Sequence, residues 1–475
     1  MFGTVFRWEV RALRRDQAFW FVLFLATAAV VFAFVNGARW LAHLESVHGE
    51  AFARDASVRI EARAYAARLD SNLERAPFYT RDPRNVLGYA NSQMAHYASL
   101  PPTPLAALST GQSDLVPSVL PLVPEKLPSM ASNSEPQNPH HLLIGRFDAA
   151  FVVIFLVPLL IIALTYTLLS GERERGTLAL VLAQPVTSHS LFAAKLLPRM
   201  VIGLGLTVLV GLLSSPLIFG SAWGRLALWL AVALAYCVFW FALGAVVAVQ
   251  RGGSATHAVA LAACWLALTV LLPAGINLAV NTLQPMPSRV ELILALRAAT
   301  DNAVSERSKV LGVFYEDHPD LAPGGAAAAD EFVALELATD QRVEHDITPV
   351  LSRYQQQLEQ QQLLVDRLQY LSPALLAQSA LAEAAGTGLA RYRWFFGQAI
   401  AHHQELRSFF EPRALRKEKF YAWDEVPTFE YVEEPIASVA ARIAPAIAAF
   451  LFGTVLLGLW TWRNLHQLRQ LCVAS

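Results

Sequence analysis

Residues 149–187 read AAFVVIFLVPLLIIALTYTLLSGERERGTLALVLAQPVT: a run of 22 residues without a charge (149–170), four consecutive charges at 172–175, then a second apolar run that stops at Pro185. A hydrocarbon layer about 30 Å thick is crossed by about 20 apolar residues in helical form. Only a helix satisfies every backbone N–H and C=O inside one such segment. The first run is therefore a membrane-spanning helix, and the same criterion finds five more. The expected spans are 17–38, 149–170, 200–222, 226–250, 256–280 and 443–462. Composition agrees. Of 475 residues, 55% are hydrophobic and 16% charged, with a mean hydropathy of +0.39. Soluble domains carry about 25% charged residues. The expected fold class is an all-α membrane protein with six transmembrane helices. Its mainly helical extracytoplasmic domain is built from two insertions.

The short connections set the orientation. With the N-terminus in the cytoplasm, the inner regions hold Arg7, Arg11, Arg14, Arg15, Arg173, Arg175, Lys195, Arg199, Arg251, Arg463 and Arg469 against Glu9, Asp16, Glu172 and Glu174, eleven basic residues to four acidic. The one short outer loop carries Arg225 alone. Positive charge stays inside, so both termini are expected in the cytoplasm. Segments 39–148 and 282–442 then lie outside. Residues 1–16 form an interfacial helix, 171–199 a cytoplasmic segment and 463–475 a cytoplasmic tail. A cleaved signal peptide is the rival reading of residues 1–38, but its apolar core would be longer than the 7–15 residues usual for one. The three cysteines, Cys237, Cys264 and Cys472, all lie outside the two long polar segments, so no disulfide framework is expected there.

Both long segments read as helical. A helix over roughly 39–75 extends the first span, and a Pro- and Ser-rich stretch from Pro101 to Pro139 reads as a loop or connector. In the second segment, Thr348-Pro349 has the form of a helix start, Ser372-Pro373 repeats it, and Gly386 has the form of a helix stop. A further helix is expected over about 389–410, ending before Pro412, with a short strand at 426–432.

The stretch from Gly171 to Thr187 is the most informative motif. Charges crowd its first turn, an apolar face follows, and Pro185 ends it. Such a segment lies in the interface or docks on a partner, although an ordinary positive-inside anchor has the same look. This stretch resembles the GERERGT…L…QPV signature of type-2 ABC transporter permeases. The resemblance implies a cytoplasmic coupling helix that rests in a cleft of an ATP-binding subunit. Glu172, Arg173, Glu174, Arg175, Gly176, Thr177 and Pro185 are then the residues coupled to that subunit. Helix 1–16 resembles the family's connecting helix. Residues Ala106–Leu115, Leu371–Leu376, Ala385–Gly388 and Phe409–Pro412 are similar to pieces of a permease subgroup with long extracytoplasmic insertions after the first and fifth spans.

What the resemblance implies is the permease subunit of an ATP-driven exporter in the bacterial inner membrane. Its partners would be an ATP-binding cassette subunit, a second permease subunit (an identical copy or a paralogue) and membrane lipid, with no nucleic acid. The surfaces of spans two and five would line the path, and the substrate is unspecified. The chain itself is not expected to be an enzyme or to hold a cofactor, ATP and Mg being bound by the partner. Gly171 and Gly176 have P-loop spacing, but the required Lys is missing and two Glu stand between them. Ion coupling usually leaves an ionisable residue in the membrane, and only His257, near a span end, qualifies. His140-His141 and His402-His403 lack metal-ligand spacing and read as solvated surface. Ser113-Asp114 and the acidic tract 424–434 have no catalytic context. Tyr421, Trp423, Phe429 and Tyr431, interleaved with that tract, are expected to pack it down. The rival class is a membrane-anchored extracytoplasmic binding or scaffold protein without an ATPase partner.

Overall fold

The computed structural model describes residues 2–473 except 74, 76–80, 94, 95, 125–145, 183, 185, 186, 215, 217–221, 287, 326–328, 417 and 418. Pro185 and His140-His141 lie outside the described residues.

The chain is a multi-pass, almost wholly helical membrane protein. Helix α1 (Phe2–Arg15) turns at Asp16 into α2 (Gln17–Asp70). The Asp16 carboxylate accepts the Ala18 N–H at 2.9 Å, which caps the new helix where four N–H groups lack partners. Helix α2 is 54 residues long and carries the first span and its extension as one rod. The second span is α3 (149–165), followed by α4 (Ser170–Glu174) and α5 (Leu178–Leu182). Spans three and four are α6 (Ser188–Ser214) and α7 (Ala222–Ala248). The fifth is α8 (Ser254–Leu283) and the sixth opens α14 (Ile436–Val473). Among the described residues, six helices are long and apolar enough to cross a membrane.

Four spans carry prolines (Pro158, Pro198, Pro273 and Pro445), and at Pro158 and Pro273 the structure supplies a side-chain donor for the carbonyl left without one. Pro158 cannot serve Ile154 four residues back, and the Tyr236 hydroxyl donates to that carbonyl at 2.9 Å. In α8 a π-helical turn, Ala267–Leu271, precedes Pro273. At π spacing the carbonyl deprived is Leu268, and Ser372 Oγ donates to it at 3.1 Å. Trp265 Nε1 donates to Phe155 O at 3.1 Å, tying span five to the π-helical turn Val152–Leu156 of span two.

Between spans five and six lie α9 (Arg289–Ser305), α10 (Arg307–Asp317), α11 (Glu331–Leu368), α12 (Pro373–Ala385) and α13 (Leu389–Leu415). Helix α12 begins and ends where its sequence signals lie. Ser372 accepts the Leu375 N–H at 3.3 Å, and Gly386 closes the helix at φ +75°, a conformation that favours glycine. Its apolar residues Leu376, Ala377, Leu381 and Ala385 join the membrane-bundle core with Trp229, Tyr236 and Ile443. Three sequence expectations are corrected. Helix α11 starts at an Asp330 cap and runs through Pro349, α13 runs through Pro412, and residues 426–432 form no strand. Among the described residues the strands are β1 (Tyr97–Ser99) and β2 (Val119–Pro121), a small antiparallel pair.

The two insertions share one core. Ala62, Tyr89, Ala98 and Leu120 from the first pack with Val333, Phe395, Phe410 and Phe420 from the second. Of the four aromatics expected to pack the acidic tract down, Trp423, Phe429 and Tyr431 pack onto the same cluster, whereas Tyr421 stays exposed and donates to Asp70 Oδ1 at 3.1 Å. His402 and His403, expected on the surface, are buried. His403 Nε2 lies 3.0 Å from Val123 O and His402 Nδ1 3.0 Å from Glu405 Oε2. Burial lowers the His402 pKa.

Candidate functional site

The charged run after span two folds as two short helices, because Gly176 at φ +70° turns the chain between them. Gly176 N donates to Arg173 O at 3.1 Å and Thr177 N to Glu172 O at 3.0 Å, closing α4. Each charge in the run then has a different fate. Glu172 turns inward and meets Lys195 Nζ of α6 at 2.8 Å. Lys195 also lies 3.6 Å from Glu9 of α1, and Glu9 receives Arg199 Nη2 at 2.6 Å. All four side chains are under a tenth exposed. Two carboxylates and two cations thus form a closed, internally neutral cluster that joins α1, α4 and α6.

Arg173 donates to the carbonyls of Gln250 and Gly252, at 2.8 and 3.2 Å, just beyond the end of span four. There its positive charge meets the negative end of the helix dipole. Glu174 does the converse at the start of span five, accepting Ser254 N at 2.5 Å and Ser254 Oγ at 3.0 Å. Three consecutive residues therefore fasten the segment to spans three, four and five. Leu178 is buried with Leu168, Leu191, Phe192 and Leu465, which anchors α5 from below. Left outward are Arg175, Gly176 and Thr177, with Leu180 at 70% exposure. The arrangement offers a protruding apolar side chain beside one cation, held by a stiff footing.

A second ionic knot sits where the insertion domain meets the bundle. Glu433 receives Arg225 Nη2 at 2.8 Å and Arg391 at 2.7 and 3.0 Å. Burial works to raise the Glu433 pKa, but the two guanidiniums outweigh it and leave the carboxylate below its ordinary value. Arg391 also donates to Pro101 O at 3.0 Å. Arg442 lies 2.6 Å from Glu434 and 3.4 Å from Glu383. Around this knot the turn 386–388 clasps the loop after Thr103. Thr103 Oγ1 donates to Ala385 O at 2.6 Å, Thr387 Oγ1 to Ser109 O at 2.9 Å, and Gln112 N to Thr387 O at 2.9 Å. Stretches 106–115 and 385–388, separate in sequence, are thus one structural unit.

Sequence reasoning used Arg225 only for orientation and gave the acidic tract no partner. The available signal was a lone arginine at the end of an apolar run, where an unpaired charge is costly.

Comparisons with known proteins add one finding. A family model described as a domain of unknown function, DUF3526, matches residues 289–432, from α9 through α13 and the tract behind it. No curated protein and no solved structure matches the chain.

Proposed function

We propose that this chain is the membrane-spanning subunit of an ATP-driven exporter of the type-2 ABC class. In this reading both termini are cytoplasmic, the two insertions form an extracytoplasmic domain, and a second copy or a paralogue completes the permease. The observation that carries the proposal is the construction of segment 170–182. Glu172, Arg173 and Glu174 are consumed in bonds to three spans, while Arg175, Thr177 and Leu180 project away. A surface loop that served only as a charge anchor would need no such footing. A loop that transmits force from a nucleotide-driven partner needs a stiff connection to several spans at once. The partner contributes the ATP and Mg chemistry. Span five, with 17% of its most apolar window buried, keeps a broad face free for the second subunit and the transport path.

The test is association of the full-length, membrane-inserted chain with ATP-binding cassette proteins expressed from the same genome. Leu180→Asp and Arg175→Glu should each weaken co-purification at least tenfold while leaving expression and thermal stability unchanged, since Leu180 is exposed and Arg175 bonds only to Gly171 O of its own short helix, not to a span. Undiminished association in both variants rejects the coupling role. A scaffold or binding protein, the reading favoured by the size of the insertion domain, predicts no such partner at all.

A further inference from the structure

A groove of about 300 Å³ lies where α1 meets spans one and three, large enough for a small-molecule or lipid-chain ligand. Its walls are Phe6, Val10 and Leu13 of α1, Leu23 of α2, and Val201 and Ile202 of α6. Arg14 stands at its edge. The elbow that shapes the groove is fixed, because Trp20 Nε1 donates to Arg14 O at 2.9 Å and Asp16 is occupied as the cap of α2.

Charge is distributed unevenly around α1. Phe6, Val10 and Leu13 recur at i, i+4 and i+7 and form the groove stripe. Arg7, Arg11 and Arg14 recur with the same spacing and form the stripe beside it. On the other side Glu9 is turned into the protein and neutralised by Lys195 and Arg199. Among the described residues no carboxylate pairs with Arg7, Arg11 or Arg14, and all three are exposed. A helix of this kind, with exposed Trp8 on it and Trp20 next to it, lies in the boundary between headgroups and acyl chains. In that setting the groove opens toward acyl chains, with Arg14 at its rim and Arg7 and Arg11 on the adjoining stripe of α1 at headgroup level.

We propose that this groove holds an acyl chain of an anionic phospholipid whose phosphate is bound by Arg14 and Arg11. The occupant is committed by charge: a zwitterionic lipid fills the same apolar space, but its ammonium offsets its phosphate, so only an anionic lipid brings net negative charge to the arginine row. The lipid would act as a wedge between α1 and the bundle. The site depends on membrane residence alone and not on the exporter reading.

Native mass spectrometry of the full-length protein in detergent, titrated in parallel with phosphatidylglycerol and phosphatidylcholine, tests this. Each arginine near an anionic surface favours binding by a factor of roughly five. Wild type should retain phosphatidylglycerol at least tenfold more strongly than phosphatidylcholine. Arg11→Gln with Arg14→Gln should bring the two lipids to near parity, and Ile202→Trp, which fills the groove, should remove retention of both. The exposed arginine pair can be replaced without touching the core, so loss of folding does not confound that variant. Equal retention of the two lipids by wild type overturns the proposal. So does unchanged phosphatidylglycerol retention in both variants.

Discussion

The ammonium of Lys195 sits 2.8 Å from the carboxylate of Glu172, and neither side chain is more than a tenth exposed. One turn on, Arg199 donates to the Lys195 carbonyl at 2.6 Å and holds Glu9 with its other arm. The four groups balance, so any single replacement leaves the buried cluster with a net charge. Breaking such a pair costs about 3–5 kcal/mol, whereas replacing both partners by apolar groups is often close to neutral. Lys195→Met should therefore lower stability markedly in detergent, and Lys195→Met with Glu172→Leu should recover most of the loss. Additive losses in a double-mutant cycle of thermal unfolding would show that the two residues do not interact.

Two glycines of α2 make a matched pair. A Cβ on Gly37 would overlap the Ala107 carbonyl oxygen, a backbone atom that cannot step aside, whereas one on Gly49 meets nothing. Gly49→Ala should stabilise by about 0.5–1 kcal/mol through helix propensity. Gly37→Ala should destabilise by about 1–3 kcal/mol, as overpacking does. Midpoints of thermal unfolding for the two proteins should move in opposite directions.

Acid should loosen the junction between the insertion domain and the bundle. The Glu433 pKa is depressed in the folded protein, so its contribution is present above the ordinary glutamate value of about 4.3 and is lost as the pH falls through the lower folded value. Glu433→Gln should be less stable than wild type at pH 7, and the gap should close below about pH 4. A gap that is constant from pH 7 to pH 3.5 would place the carboxylate outside the linkage.

Phe410 is 1% exposed and packs 5.7 Å from Phe420 and 6.3 Å from Tyr89, centroid to centroid. Phe410→Ala should cost about 3–5 kcal/mol. Limited proteolysis should then open sites in both insertions together, because they share the core that Phe410 fills. Cleavage confined to residues 289–432 would mean that the first insertion stands alone.

Orientation has a direct test. Ser308, exposed on α10, should react as Ser308→Cys with a membrane-impermeant maleimide added outside intact spheroplasts. Reaction only after the membrane is opened would reverse the proposed topology.

Signals held within a few neighbouring residues were legible in the sequence. The spans show as charge-free runs, and α12 shows at both ends because Ser372, Pro373 and Gly386 each act within one turn of themselves. Pro349 misled for a related reason. Its ring removes one helical bond, but Leu337 and Ile347 before it are buried in the same protein, and packing keeps α11 continuous across the break. What could not be read were partners far apart in the chain. Nothing local in Glu172 or Glu174 says that one turns in to Lys195 and the other caps Ser254. Nothing in Glu433 names Arg225, about two hundred positions away. The same limit hid the contact between stretches 106–115 and 385–388.

The core shared by the two insertions also sets a timetable for biosynthesis. Leu120 and Leu122 leave the ribosome long before Val333, their partner in that core, and four spans must enter the membrane in the interval. With roughly two hundred residues to add at about 5–20 per second, the apolar face of the first insertion waits on the order of ten to forty seconds for its other half. During that wait it carries Val86, Tyr89 and Leu120 uncovered, which makes it a natural client for a holding chaperone.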